Sequence, residues 1–186
     1  GLFMRSLNLL LTIDNGYRPE GLVVMGVQLP DAWFADGAER MAFMRRLQSR
    51  LTSVPGVQSA TIAEGIPPNT GFSFDVKIQA EGQAAPSGQP LLLPIASVEP
   101  EFFEVVGTRV IDGRTFRSDD TPASNLVVID EPLARFLWPQ ERAVGKRFRL
   151  EDDAKWLTVI GVVADVKLMG PDDRRGSFDM FEVLPR

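Results

Sequence analysis

From Phe72 to Ala80 apolar and polar side chains alternate without a fault. Phe72, Phe74, Val76, Ile78 and Ala80 fall on one side, and Ser73, Asp75, Lys77 and Gln79 on the other. A two-residue period is met by a strand with one face in a core and the other in water. Such a strand needs a neighbour, so the chain must build a sheet. Residues 91–98 supply the partner after a polar loop at 81–89 rich in glycine, proline and serine, and Pro94 predicts an edge or a bulge there.

The remaining elements follow from period and punctuation. Residues 22–29 are β-branched-rich and interrupted only by Gly26, which predicts a strand buried on both faces and ended by Pro30. Asp36 with Glu39 three residues on predicts a capped helix. Met41, Met44, Leu47 and Leu51 repeat along it at helical spacing, and Pro55-Gly56 stops it. A strand at 57–63 would complete a βαβ-like unit with a right-handed crossover, provided the two strands run parallel. Beyond Val98 the elements shorten. A helix from Pro100 to Val105 closes at Gly107, strands are expected at 108–111, 126–129, 146–150 and 155–166, and a helix at 131–137 ends before Pro139. Residues 167–176 read as a polar, mobile tail and 178–184 as a last strand. The pattern as a whole predicts an α+β fold.

Composition removes whole classes of function. The formal charge is -5 with a pI near 4.9, which gives a nucleic-acid groove no electrostatic support. The chain has no histidine and no cysteine. Serine–histidine and cysteine–histidine nucleophile systems cannot be assembled from it, and zinc, copper and haem lose their usual ligands. Carboxylate chemistry, lysine chemistry and an oxygen-ligated hard cation remain. No apolar run reaches the eighteen or so residues that span a bilayer. Residues 1–11 nevertheless carry seven large apolar side chains around Arg5, and read either as the end of a longer apolar helix or as an N-terminal helix packed on the core.

Few residues stand out as chemistry. Gly145-Lys146 resembles the end of a phosphate-binding loop, but Gln140 stands where a glycine is needed and Arg147 where Ser or Thr is needed, so a turn is expected. Asp119-Asp120, Glu151-Asp152-Asp153 and Asp172-Asp173 sit beside turn formers and read as solvated turn residues. Trp138 before Pro139 is expected to fold back onto the core. Trp33 and Phe34 follow the first expected strand and are read as either packed residues or contacts for a partner protein. No catalytic, cofactor-binding or metal residue is assigned.

Residues 127–150, VVIDEPLARFLWPQERAVGKRFRL, resemble the strand–helix–turn–strand signature of the extracytoplasmic core domain of MacB-like and FtsX-like permeases of the ATP-binding-cassette superfamily. Val127, Asp130, Glu131, Ala134, Arg135, Trp138, Pro139, Gly145 and Lys146 carry the match, with Ala143-Val144 where the family tends to show Pro-Ile. Segments 16–30, 98–116 and 159–167 are similar to other blocks of that family, so the likeness extends from Tyr17 to Lys167. The resemblance implies two subdomains: one of βαβ-type units with a mixed sheet, at 17–98 plus 167–186, and one small β-rich insert at 99–166. Residues 1–16 would be a stalk or the end of a transmembrane helix. It further implies a membrane-tethered, periplasmic or extracellular domain that binds and transmits motion rather than catalysing, and that needs no cofactor. The implied partners are an ATP-binding-cassette ATPase subunit or domain, reached through the full-length permease, and a periplasmic adaptor or second permease copy. The alternative is a stand-alone secreted or periplasmic binding or adaptor module.

Overall fold

The computed structural model describes residues 18, 20–65, 73–83, 90–151, 153–165 and 178–185. The expectations for residues 1–16, for the tail at 167–176 and for Asp172-Asp173 lie outside them. Among the described residues, three α-helices and nine strands follow in the order α1 (Gly37–Thr52), β1 (Ala63–Glu64), β2 (Ser73–Val76), β3 (Ile78–Ala80), β4 (Leu91–Val98), α2 (Phe102–Val106), β5 (Val110–Gly113), β6 (Leu126–Asp130), α3 (Glu131–Leu137), β7 (Arg147–Leu150), β8 (Leu157–Val163) and β9 (Met180–Val183). The fold is α+β with a mixed sheet.

The strands join in the order β1-β4-β9-β6-β8-β7-β3, with β2 on β4 and β5 on β8. Two pairs run parallel, β4 with β9 and β6 with β8, and the rest antiparallel. Only Lys77 separates β2 from β3. The first pairs with the start of β4 and the second with β7, so the hydrogen-bonded path returns on itself. The alternation at 73–80 is thus spent on two different neighbours.

Alternation along the central strands divides the core in two. Val127, Ile129, Val159, Phe148, Leu93 and Met180 point to one side, where Leu133, Ala134, Leu137 and Trp138 cover them. Val128, Val163, Phe181, Ala96 and Val98 point to the other, where Phe102 and Phe103 of α2 and Phe116 cover them. Phe103 meets Phe181 edge to face with ring centroids 5.0 Å apart, a geometry that suits the aromatic quadrupole. The β6–β8 ladder skips Ile160, an extra residue in β8. At that bulge a Cβ on Gly161 would lie 2.0 Å from the Arg114 carbonyl oxygen. Only glycine fits so close a crossing.

Two expectations fail. Residues 22–29 form no strand, and Val23, Val24 and Met25 are exposed, Val23 at 88%. The β-branched residues give that segment strand propensity, but no described strand pairs with it, and a strand without a partner leaves its peptide groups to water. Of the strand expected at 57–63, only Ala63 is in one, antiparallel to β4, so the βαβ-like unit does not form. Strands from either side of Val98 share one ladder system: β9 bridges β4 to β6, and β3 pairs with β7.

Candidate functional site

Strand pairing gathers three carboxylates at one rim of the sheet. Asp130 ends β6, Asp165 lies two residues past β8, and Asp179 immediately precedes β9. Register does the rest: Asp130 is opposite Val163 of β8, and its amide donates to the Asp179 carbonyl at 3.1 Å. Each residue offers one carboxylate oxygen, and the three lie within 4.8 Å of one another. Asp130 and Asp179 are both 0% exposed, while Asp165 is half-buried.

Asp130 has a structural task as well. Its backbone is extended, and its Oδ1 accepts from the Leu133 amide at 2.9 Å, capping α3, whose second residue, Pro132, has no N–H to satisfy. Its other oxygen, Oδ2, is sealed from solvent and completes no hydrogen bond. Burial pushes the Asp130 carboxyl well above the usual carboxylate range, and the negative charges of Asp179 and Asp165 push it further, while the amides of Leu133 and Asp179 oppose them. Oxygen donors at this spacing suit a shared proton or a hard cation. Among the described residues, no other group of three acidic side chains comes this close together.

Of the acidic residues singled out in the sequence, Asp120, Glu151 and Asp153 are engaged in other contacts, and Asp152, like Asp172-Asp173, lies outside the described residues. Asp120 accepts from both guanidinium nitrogens of Arg114, at 2.6 and 3.1 Å, and from the Arg117 amide. Hydrogen bonding from Arg114 holds its carboxyl below the usual range. Glu151 pairs with Lys77 at 3.2 Å, and Asp153 accepts from the Lys155 amide. Gly145-Lys146 is a turn. Gly145 has a positive φ of 90°, and the Lys146 ammonium is 2.5 Å from Glu141, so it is not held out to a phosphate.

Of the aromatic candidates, Trp138 is 3% exposed and packs edge to face on Phe148. Trp33 is 69% exposed, in a 3₁₀ turn at Asp31–Trp33. Phe34 is half-buried against Phe43 of α1, with centroids 5.7 Å apart. Sequence reading missed two features. The Asp130, Asp165 and Asp179 cluster joins residues far apart in the chain, and only Asp130, flanking an expected strand and helix, gave a signal. The other is Glu99, whose Oε2 receives Gln48 of α1 at 2.8 Å and the Ile62 amide at 2.8 Å, tying helix and sheet together beside a groove of about 350 Å³ lined by Met41, Arg45 and Leu184.

Against known proteins, the family described as the MacB-like periplasmic core domain matches residues 23–182. Among solved structures, the periplasmic region of MacB from Actinobacillus actinomycetemcomitans is similar at 19% identity and a TM-score of 0.46, over 73% of this chain and 52% of that one. The extracellular domain of the noncanonic ABC-type transporter YknZ from Gram-positive bacteria is similar at 18% identity and a TM-score of 0.46, over 72% of this chain and 58% of that one. The chain therefore spans little more than half the length of either structure. No curated protein matches it.

Proposed function

The chain belongs to the MacB-like periplasmic core domain family, and from that membership we propose that it serves as the extracytoplasmic domain of an ATP-binding-cassette transporter permease subunit. It couples ATP hydrolysis by a cytoplasmic ATPase subunit or domain to movement of a substrate or partner outside the membrane. The observation that carries this reading is the family match across residues 23–182. The strand circuit supports it, because a sheet packed on both faces moves as one body and transmits displacement without dissipating it in local bending. Among the described residues no helix is long and apolar enough to cross a membrane. We assign Trp33, backed by Phe34 on Phe43, to contact with a periplasmic adaptor or a second permease copy.

The absence of cysteine makes a direct test straightforward. Ser118→Cys, at an exposed position, introduces a reporter into this part of the full-length permease. A membrane-impermeant maleimide applied to intact spheroplasts should label it without permeabilisation, and the labelling rate should change when the ATPase partner is trapped in its ATP-bound state. Labelling only after permeabilisation would overturn the location. Equal rates in both nucleotide states, here and at a second reporter, Ser124→Cys, would overturn the coupling.

A further inference from the structure

We propose that Asp130, Asp165 and Asp179 form a binding site for one hard divalent cation, of the Ca²⁺ or Mg²⁺ class. Three observations lead there. The donor atoms are carboxylate oxygens within 4.8 Å of one another, the span over which oxygens on opposite sides of a cation with ligand distances of about 2.0–2.6 Å are separated. The Asp130 side chain is fully buried, where an uncompensated carboxylate carries a large desolvation penalty. And Oδ2 of Asp130, on a side chain 0% exposed, completes no hydrogen bond although its sister oxygen is engaged by the Leu133 amide. Buried carboxylate oxygens are ordinarily satisfied, so this one has an opening for an electrophile.

Asp165 and Asp179 have interactions of their own, and the orphaned atom is that of Asp130. Among the described residues, the charges bearing on Asp130 are those of Asp179 and Asp165, and both are repulsive. A divalent cation would give Oδ2 a direct partner and draw on the two neighbouring carboxylates at the same time. Soft metals do not suit an all-oxygen set. The remaining positions around the ion would be filled by water reaching it from the Asp165 side, the half-buried member. The site ties the ends of β6 and β8 to the start of β9, so occupancy would clamp three strands at one rim.

The test uses the whole chain, stripped with chelator, and CaCl₂ or MgCl₂ as probes at neutral pH and constant ionic strength. Equilibrium dialysis should show saturable binding of one cation per chain. The melting temperature should rise with the logarithm of cation concentration, by about 5–10 °C at a hundredfold excess over the dissociation constant. Asp130→Asn keeps an acceptor for the Leu133 amide while removing the charge, and should weaken binding at least about tenfold. Asp165→Asn, on a half-buried residue outside the strands, should do the same and serves if the first variant fails to fold. No saturable binding of either cation to the parent chain would overturn the proposal and leave a shared proton as the occupant. Cation affinity unchanged in both folded variants would overturn it too, by placing the cation elsewhere.

Discussion

Among the described residues, the two longer helices invert the usual relation between length and burial. α1 has sixteen residues, a side-chain cap from Asp36 and an apolar stripe, yet none of its residues is buried. α3 has seven residues and buries Leu133, Ala134 and Leu137 completely or nearly so, with Trp138 closing its end. Helical period and capping report that a helix will form and which side is apolar, but burial is set by what stands opposite that side. α3 follows directly from the central strand β6 and is turned back over it. α1 is flanked by segments outside the sheet, and its Gln48 donates to the Ala60 carbonyl and to Glu99, which also accepts from the Ile62 amide.

The sharpest way to break the comparison is at Trp138. Trp138→Ala removes a buried indole from the α3 side of the core and should cost about 3–5 kcal/mol, read as a large drop in the midpoint of chemical or thermal unfolding. A midpoint within a degree or two of the parent would mean that α3 is no better anchored than α1. Glu99→Ala addresses the other helix. It strands the Ile62 amide and leaves Gln48 only the Ala60 carbonyl, and should cost about 1–3 kcal/mol. Faster amide exchange should be confined largely to α1 and residues 60–62, and loss of protection spread evenly through the sheet would show that the helix is integrated after all.

A smaller effect separates the sheet's own ion pairs from its packing. The carboxyl of Asp120 is held below its ordinary value by Arg114. A depressed folded value contributes stability that is fully present above the unfolded carboxylate value and is lost as pH falls through the folded one. Unfolding midpoints of the parent should therefore fall as acid protonates Asp120, and Asp120→Asn should start lower at neutral pH and flatten that part of the profile. A profile unchanged by the substitution would remove the pair from the stability of the β5–β6 connection. The smallest change belongs to Trp33→Ala, at a side chain 69% exposed. Stability should stay within about 0.5 kcal/mol, and the loss should emerge only in binding of an adaptor or second permease copy.

Much of the sheet was legible because its information is local. The strands at 91–98, 126–130 and 157–163 announce themselves by β-branched residues between turn formers, the strand at 147–150 by polar–apolar alternation after the Gly145-Lys146 turn, and α3 by Asp130, Glu131-Pro132 and the Trp138-Pro139 stop. Residues 22–29 misled because propensity is a property of the segment and pairing a property of the fold. Fully buried parallel strands and unpaired apolar coil look alike in one dimension. The carboxylate cluster was illegible for a related reason. Asp165 and Asp179 fall near the ends of expected strands and are unremarkable until two ladders, one parallel and one antiparallel, bring them to Asp130.

The place of β9 in the sheet sets an order of events. It lies between β4 and β6, parallel to one and antiparallel to the other, yet it is drawn from residues 180–183, the last described strand to leave the ribosome. Until those four residues arrive, β4 and β6 each present a bare edge to whatever else the cell offers, and the Phe102, Phe103 and Phe116 layer lacks the Phe181 ring that fills it. The sheet must therefore wait for β9 before it can have a middle, and a chain interrupted ahead of β9 would carry two sticky edges rather than a smaller finished fold.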